Sequence, residues 1–288
     1  MDHSGILQDR STLRLVQIAL AEDIGTGDLT TESLVDKDNL SHAVFLAKEK
    51  LVVAGSIVAG IVFGEVDRSI VCDWEVSEGE MVEPGTVLAH IHGPAQGILT
   101  AERTALNFMQ RMSGVASLTR RYVEAVQGTD ATILDTRKTI PGWRTLDKYA
   151  VKVGGGANHR MGLYDMVMIK DNHIAAHGSI AAAVNAVLRY FEERGITGVG
   201  IEVETTNLDQ ISQALGCQGV TRIMFDNFTP EGLREAVLFV NDRLETEASG
   251  GITLETVRQV AETGVQFISV GALTHSATAC DISLDFKR

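Results

Sequence analysis

The feature that most limits what this chain can fold into is a repeated strand-then-helix beat that begins near residue 130. Six short runs carry it: ILDTRK (133–138), MVMIKD (166–171), GIEVE (200–204), IMFDN (223–227), TEASGG (246–251) and FISVGA (267–272). The polar or small residues at their ends, Arg137, Lys170, Glu204, Asp226, Ser249 and Gly271, are 33, 34, 22, 23 and 22 positions apart, enough each time for a helix and its loops. Helix signals fill the gaps. Ser179 opens a helix that Gly195 closes, and Asn207 opens one that Gly216 closes. Thr229, Pro230 and Glu231 form an N-cap, an N1 proline and an acidic first turn, and Thr253 opens the last helix before Gly264. Strands that alternate with helices lie parallel, because a parallel return needs a crossover long enough to hold a helix. No Gly-x-Gly-x-x-Gly follows a strand and no Gly-x-x-x-x-Gly-Lys occurs, which points away from a dinucleotide-binding fold or a P-loop and toward a barrel. The region 130–275 has only 146 residues. Eight units usually need about 200 or more, so the expected barrel is open and incomplete.

Upstream the texture changes. A helix over 12–22 is expected from Leu13, Val16, Ile18 and Leu20, with Ser11 as its cap. Residues 42–98 are strand-like, with Pro84-Gly85 as the turn of a hairpin or small sandwich, and the apolar stretch 51–64 reads as a buried segment too short to span a membrane. Apolar spacing then predicts a long helix over 100–128, capped by Thr100 and carrying Arg103 in its first turn, where the helix dipole mildly disfavours a cation. The three cysteines, Cys72, Cys217 and Cys280, are widely spaced and outline neither a disulfide framework nor a zinc site. With no secretory signal pattern, a reducing, cytoplasmic setting is expected. A formal charge of −13 argues against nucleic acid or an anionic membrane as partner.

That acidity makes the positive island at 136–173 conspicuous: seven Lys or Arg face three Asp, a net of +4, while the rest of the chain carries −17. In a parallel barrel the carboxyl ends of the strands converge on one face, so Arg137, Lys138, His159, Arg160 and Lys170 would meet Glu204 and Asp226 there. Several cations ending buried strands imply a ligand with more than one anionic group. Glu204 and Asp226 would either hold Mg2+ or balance Lys170. Ser249, Gly250 and Gly251 are either an anion cradle or a flexible loop.

Long stretches of the chain resemble the quinolinate phosphoribosyltransferases, the decarboxylating nicotinate-nucleotide pyrophosphorylases. They are AEDIGTGDLTTESL, ERTALNFMQRMSGVASLT, the block from DTRKT to MVMIKDNH, IEVE, IMFDN, EASGGI and SVGALTHS. The resemblance implies an N-terminal α/β sandwich domain at 1–115, joined by the tail 275–288, and an open, incomplete α/β (TIM-like) barrel at 116–274. It implies a phosphoribosyltransferase, a glycosyltransferase in class, that joins quinolinate to 5-phosphoribosyl pyrophosphate and yields nicotinate mononucleotide, pyrophosphate and CO2 for NAD biosynthesis. It further implies a homodimer with shared active sites, or a hexamer. Arg103, Thr136, Arg137, Lys138, His159, Arg160 and Lys170 would bind substrate; Lys138, Lys170, Glu204 and Asp226 would act in catalysis, the two carboxylates also holding Mg2+. Ser249, Gly250, Gly251 and Gly271 would cradle phosphate. The competing readings are a molybdenum-transport-associated paralogue, a Schiff-base lyase built on Lys170, and a silent binding module.

Overall fold

The computed structural model describes residues 10–287, which group into two compact units. The first gathers 10–120, 139–155 and 273–287; the second gathers 121–138 and 156–272. No helix among the described residues is long and apolar enough to cross a membrane.

The first unit is built on a four-stranded antiparallel sheet, ordered β12 (Ile282–Phe286), β1 (Leu40–Ala47), β5 (Val87–Pro94), β3 (Val71–Trp74). The last strand of the chain thus pairs with the first. Phe45 on β1 meets Phe63 of helix α3 (Ser56–Val66) edge-on at 6.0 Å and stacks on Trp74 at 5.9 Å, which seats the helix against the sheet. Helix α1 (Arg10–Ile24) buries Thr12, Val16 and Leu20 at a four-residue interval, whereas Leu13 and Ile18 are exposed. Ser11 lies inside that helix rather than at its cap. Helix α2 (Leu29–Leu34) is N-capped by Asp28, whose carboxylate accepts from the Thr31 amide at 3.0 Å.

Two sequence expectations are corrected here. The turn at Pro84-Gly85 does not close a hairpin, because β4 (Met81–Val82) pairs with β2 (Leu51–Val52) while β5 pairs with β1 and β3. The long helix, α4 (Ala95–Ala125), starts directly after Pro94, so Thr100 is interior and donates to Asp28 at 3.1 Å. Proline cannot donate to the ladder, which ends the strand and frees the chain to turn into helix.

The segment 139–155, expected to belong with the barrel, clusters in the first unit. Its helix α5 (Arg144–Val153) buries Asp147 against Arg111 of α4 at 3.2 Å, and Trp143 stacks on Phe108 at 4.9 Å. Arg111 also donates to the carbonyls of Ala277 and Thr274, so one guanidinium ties three chain segments together. Close backbone packing adds to this, since a Cβ at Gly114 would stand 2.0 Å from the Thr278 carbonyl. Three of the seven cations of the positive island, Arg144, Lys148 and Lys152, therefore sit on α5 and not on a barrel strand, and Lys148 is wholly buried.

The second unit is a six-stranded parallel sheet in the order β6 (Thr132–Leu134), β11 (Phe267–Ser269), β10 (Glu245–Ser249), β9 (Val220–Asp226), β8 (Ile201–Thr205), β7 (Val167–Ile169). With six strands the barrel stays open. The crossover helices are α6 (Asp171–His177), α7 (Ile180–Arg194), α8 (Leu208–Leu215), α9 (Pro230–Val240) and α10 (Val257–Ala261); the short α11 (Ala272–His275) begins where the chain returns to the first unit. Ser179, Asn207 and Thr229 each accept from the amide three residues on, and Gly195 closes α7 in the left-handed region. Thr253 differs from expectation: α10 begins four residues later, at Val257, after a turn in which the Thr253 carbonyl accepts from Thr256 and Val257.

Candidate functional site

Side chains two apart on a strand share a face, and residues paired across neighbouring strands point the same way. Glu202 pairs with Arg222, Glu204 and Glu247 each with Met224, and Asp226 with Ser249. One face of the sheet therefore carries Glu202 and Glu204 from β8, Arg222 and Asp226 from β9, and Glu247 and Ser249 from β10. The opposite face carries the buried apolar residues Ile201, Val203, Ile223, Phe225 and Ala248 under the helices. A polar interior runs along the strands in two tiers.

The outer tier lies at the carboxyl ends. Lys170, which follows β7 and caps α6, forms an ion pair with Glu204 at the end of β8. This contact brings Glu204 to the lysine on which a lyase reading would rest. Asp226 ends β9 half-buried and accepts from the Asn227 side-chain amide at 2.9 Å. Beside it, Ser249 leads into Gly250 and Gly251 with φ of +100° and +61°. A Cβ at Gly250 would meet the Asn227 side chain at 2.1 Å, whereas one at Gly251 would meet nothing within 4 Å. The loop is thus pinned on one side by Asn227, whose amide donates to the Ser249 carbonyl at 2.9 Å, and open on the other. A cavity of about 250 Å³ also borders these residues, but its walls include Phe225, Leu233 and Val260 from the helix-facing side, so it backs the loop and is distinct from the polar interior. Gly271 lies two residues past β11, before α11.

The remaining cations come from two loops beside β6. Thr136 accepts from the Lys138 amide at 3.0 Å, a side-chain turn that fixes 136–138 with Arg137 and Lys138 exposed. The second loop runs alongside, with Ala157 bridged to Leu134. There Arg160 donates to the Met166 carbonyl at 3.0 Å. Burial, and then the charge of nearby Arg137, push its pKa down. The carboxylates of Glu202 and Asp165 pull it back up in part. Arg103 is exposed on α4 in the first unit.

The inner tier was not anticipated from the sequence. His159 is only 7% exposed, and its amide donates to the buried carboxylate of Asp135 at 2.9 Å. Nε2 lies 3.1 Å from Glu202 and 3.3 Å from Glu247, both fully buried, while Nδ1 accepts from the Arg160 amide at 2.7 Å. Arg222 lies 3.1 Å from Glu247 and 2.9 Å from Glu245, stacked over Phe267 at 3.9 Å. His159 is thus held from both sides, at Nδ1 by the Arg160 amide and at Nε2 between Glu202 and Glu247. The missed signal is period two: Glu202 precedes Glu204, and Glu247 precedes Ser249, by two residues on the same face.

This tier also holds a proton. Burial pulls the His159 pKa down, but the contacts with Glu202 and Glu247 outweigh it and push it up to about 9. Burial raises Glu202; Glu247, despite burial, is held below the usual range by His159 and Arg222. Because Nδ1 is an acceptor, the ring proton sits on Nε2 between the carboxylates, and the further proton belongs to the cluster as a whole. An ordinary histidine titrates near 6.5, so the stability contributed by this proton is complete below about that pH and is lost as pH rises through about 9. The unfolding free energy from urea titrations should fall across that window by on the order of 1–3 kcal/mol, and Glu202→Gln should flatten the fall. A wild-type midpoint that does not change over this window would contradict the assignment.

His159, Glu202 and Glu247 bring donor atoms within 4.8 Å of one another, a buried cluster able to hold a divalent cation. Its imidazole and the adjoining Arg222 suit Mg2+ less well than the all-oxygen pair Glu204 and Asp226, because Mg2+ takes carboxylate, water and phosphate oxygens.

The chain is similar to known proteins over nearly its whole length. Sequence models described as the N-terminal and C-terminal domains of quinolinate phosphoribosyl transferase match residues 28–113 and 115–285. The chain is 47% identical over 285 residues to quinolinate phosphoribosyltransferase (decarboxylating) 1b of Nicotiana tabacum, spanning 94% of this chain and 81% of that protein. It is also 47% identical over 285 residues to the chloroplastic nicotinate-nucleotide pyrophosphorylase (carboxylating) of Arabidopsis thaliana, with 94% and 81% covered. Among solved structures, the nicotinate-nucleotide pyrophosphorylase of Francisella tularensis superposes with a TM-score of 0.89 at 39% identity, covering 96% of each chain. That of Ehrlichia chaffeensis superposes at 0.87 with 36% identity, covering 95% of this chain and 98% of the other. With both domains matched in order and relatives this similar over nearly the whole length, the chain belongs to the quinolinate phosphoribosyltransferase family.

Proposed function

We propose that this chain joins quinolinate to 5-phosphoribosyl pyrophosphate and releases nicotinate mononucleotide, pyrophosphate and CO2, the step that brings the pyridine ring into NAD biosynthesis. The observation that carries the reading at the level of the site is the set of cations beside the carboxyl ends of the strands: Arg137 and Lys138 on the turn held by Thr136, Arg160 on the neighbouring loop, and Lys170 paired with Glu204. A pyridine dicarboxylate is a ligand that arginines so placed suit, since guanidinium forks match carboxylates two oxygens at a time.

In this reading Arg137, Lys138, Arg160 and Lys170 grip the two carboxylates and aim the ring nitrogen at the anomeric carbon. That orientation is worth several kcal/mol of the barrier. Thr136 holds the turn that presents Arg137 and Lys138, and His159 holds the amide of Arg160. The nitrogen lone pair forms the new bond to the anomeric carbon as the bond to pyrophosphate oxygen breaks, a glycosyl transfer. The ring nitrogen is then cationic and stabilises the electron pair left on the adjacent carbon when its carboxylate departs as CO2, and that carbon takes up a proton from water. Glu204 and Asp226 lie where positive charge develops on the ribose, and the backbone at Gly251, with Ser249 and Gly271, offers amides to the 5′-phosphate. When bound, Mg2+ would sit on Glu204 and Asp226 and supply positive charge to the pyrophosphate oxygens. The active species is a homodimer, or a hexamer built from it, in which Arg103 of each subunit completes the other's site.

The test is release of labelled CO2 from carboxyl-labelled quinolinate. Release that requires both 5-phosphoribosyl pyrophosphate and Mg2+ is expected; release without the sugar, or none with both present, would overturn the reading.

A further inference from the structure

The antiparallel sheet of the first unit carries a cluster that the reaction does not use. His42 on β1 stands directly opposite His92 on β5, and His90 lies two residues earlier on the same strand. The rings stack: His42 is 4.3 Å from His92 and 5.1 Å from His90, centroid to centroid. His42 Nε2 lies 2.9 Å from His90 Nδ1. One nitrogen from each ring falls within 4.8 Å of the others. All three rings are at least partly open to solvent.

Surface histidines do not ordinarily gather in threes, because each added ring makes protonation of its neighbours harder. Burial, and then the charges of His92, His90 and Lys287, lower the pKa of His42, which favours the neutral ring. Two carboxylates flank the group, with Asp73 at 3.9 Å from His92 Nε2 and Glu75 at 3.9 Å from His90 Nε2. Carboxylates so placed are the usual outer partners of metal-bound imidazoles, orienting the ring or completing the coordination. The three backbone positions are fixed by the β1–β5 ladder, so closing the nitrogens onto a common centre with bonds of about 2.0–2.1 Å calls for rotation of the stacked rings, with the ion replacing the proton shared by His42 and His90.

We propose that His42, His90 and His92 form a binding site for a borderline first-row transition-metal dication, with Zn2+ as the representative, which clips β1 to β5. An imidazole set selects such ions over Mg2+, so the site does not compete with the oxygen donors at the barrel strand ends and does not depend on the activity assigned above.

The test uses the intact chain, freed of metal with a chelator, and titrates it with Zn2+ alone in competition with a chromogenic indicator. One Zn2+ per chain is expected, with a Kd on the order of micromolar or tighter. His92→Ala should weaken it at least about tenfold, and His42→Ala with His92→Ala should abolish it while leaving Mg2+-supported quinolinate turnover unchanged. Co2+ should give the visible bands of a tetrahedral nitrogen site in the parent and not in the double variant. Added Zn2+ should raise the melting temperature of the parent only. Absence of binding at micromolar Zn2+ would overturn the proposal. So would undiminished binding in the double variant, which would place the ion at His159, Glu202 and Glu247.

Discussion

Arg137→Ala should lower kcat/KM for quinolinate by about 10²–10³-fold while leaving the melting temperature of the chain unchanged. The size follows from removing a forked, charge-assisted contact to a substrate carboxylate, a loss of about 3–4 kcal/mol in transition-state binding. The unchanged stability follows from the exposure of Arg137 on the turn held by Thr136, outside any packed core. Arg137→Lys separates charge from geometry: it keeps the cation and loses the fork, and should recover only part of the activity. Steady-state rates of CO2 release beside thermal melts give both numbers, and an unaltered kcat/KM for Arg137→Ala would remove the residue from the site.

A stability effect of similar size is expected at the other end of the molecule's chemistry. Asp147 is 1% exposed, and its carboxylate faces Arg111 at 3.2 Å and accepts from the Ile140 amide at 3.3 Å. Burial pushes its pKa up against the pull of Arg111, so the pair is costly to bury and still costlier to break. Asp147→Ala leaves a guanidinium largely buried without its counter-charge and should cost about 3–5 kcal/mol. Asp147→Asn keeps an acceptor for Ile140 and should cost less. Urea unfolding of the three proteins measures the differences. A loss below about 1 kcal/mol for Asp147→Ala would show that the discontinuous unit is held by its apolar contacts alone.

What could be read from the sequence was what local chemistry decides. The caps at Ser179, Asn207 and Thr229 were legible because each side chain satisfies an amide three residues away. The open barrel followed from six beats in too short a span, and six parallel strands are present. Long-range packing escaped the same reading. Nothing local announces that β4 and β5, one turn apart, pair in different sheets, or that helix α5 joins the first unit through Arg111 and Phe108.

The candidate site divides along the same line. Residues at the ends of strands could be named from the beat, and Lys170 and Glu204 do meet. The buried partners one step deeper, Glu202, Glu247 and Arg222, were passed over because charges inside strands read as solvated faces until the second face is known to be closed. His159 could be named from its place beside Arg160, but its burial and its contacts with Glu202 and Glu247 could not.

The most direct measurement of the central claim is a crystal structure of the chain with pyridine-2,3-dicarboxylate. Both carboxylates are expected on the cations beside the barrel strand ends, at least one in a two-point contact with Arg137 or Arg160, with the ring nitrogen turned toward Glu204 and Asp226. Electron density for the dicarboxylate at another place, with Arg137 and Arg160 directed into bulk solvent, would contradict it.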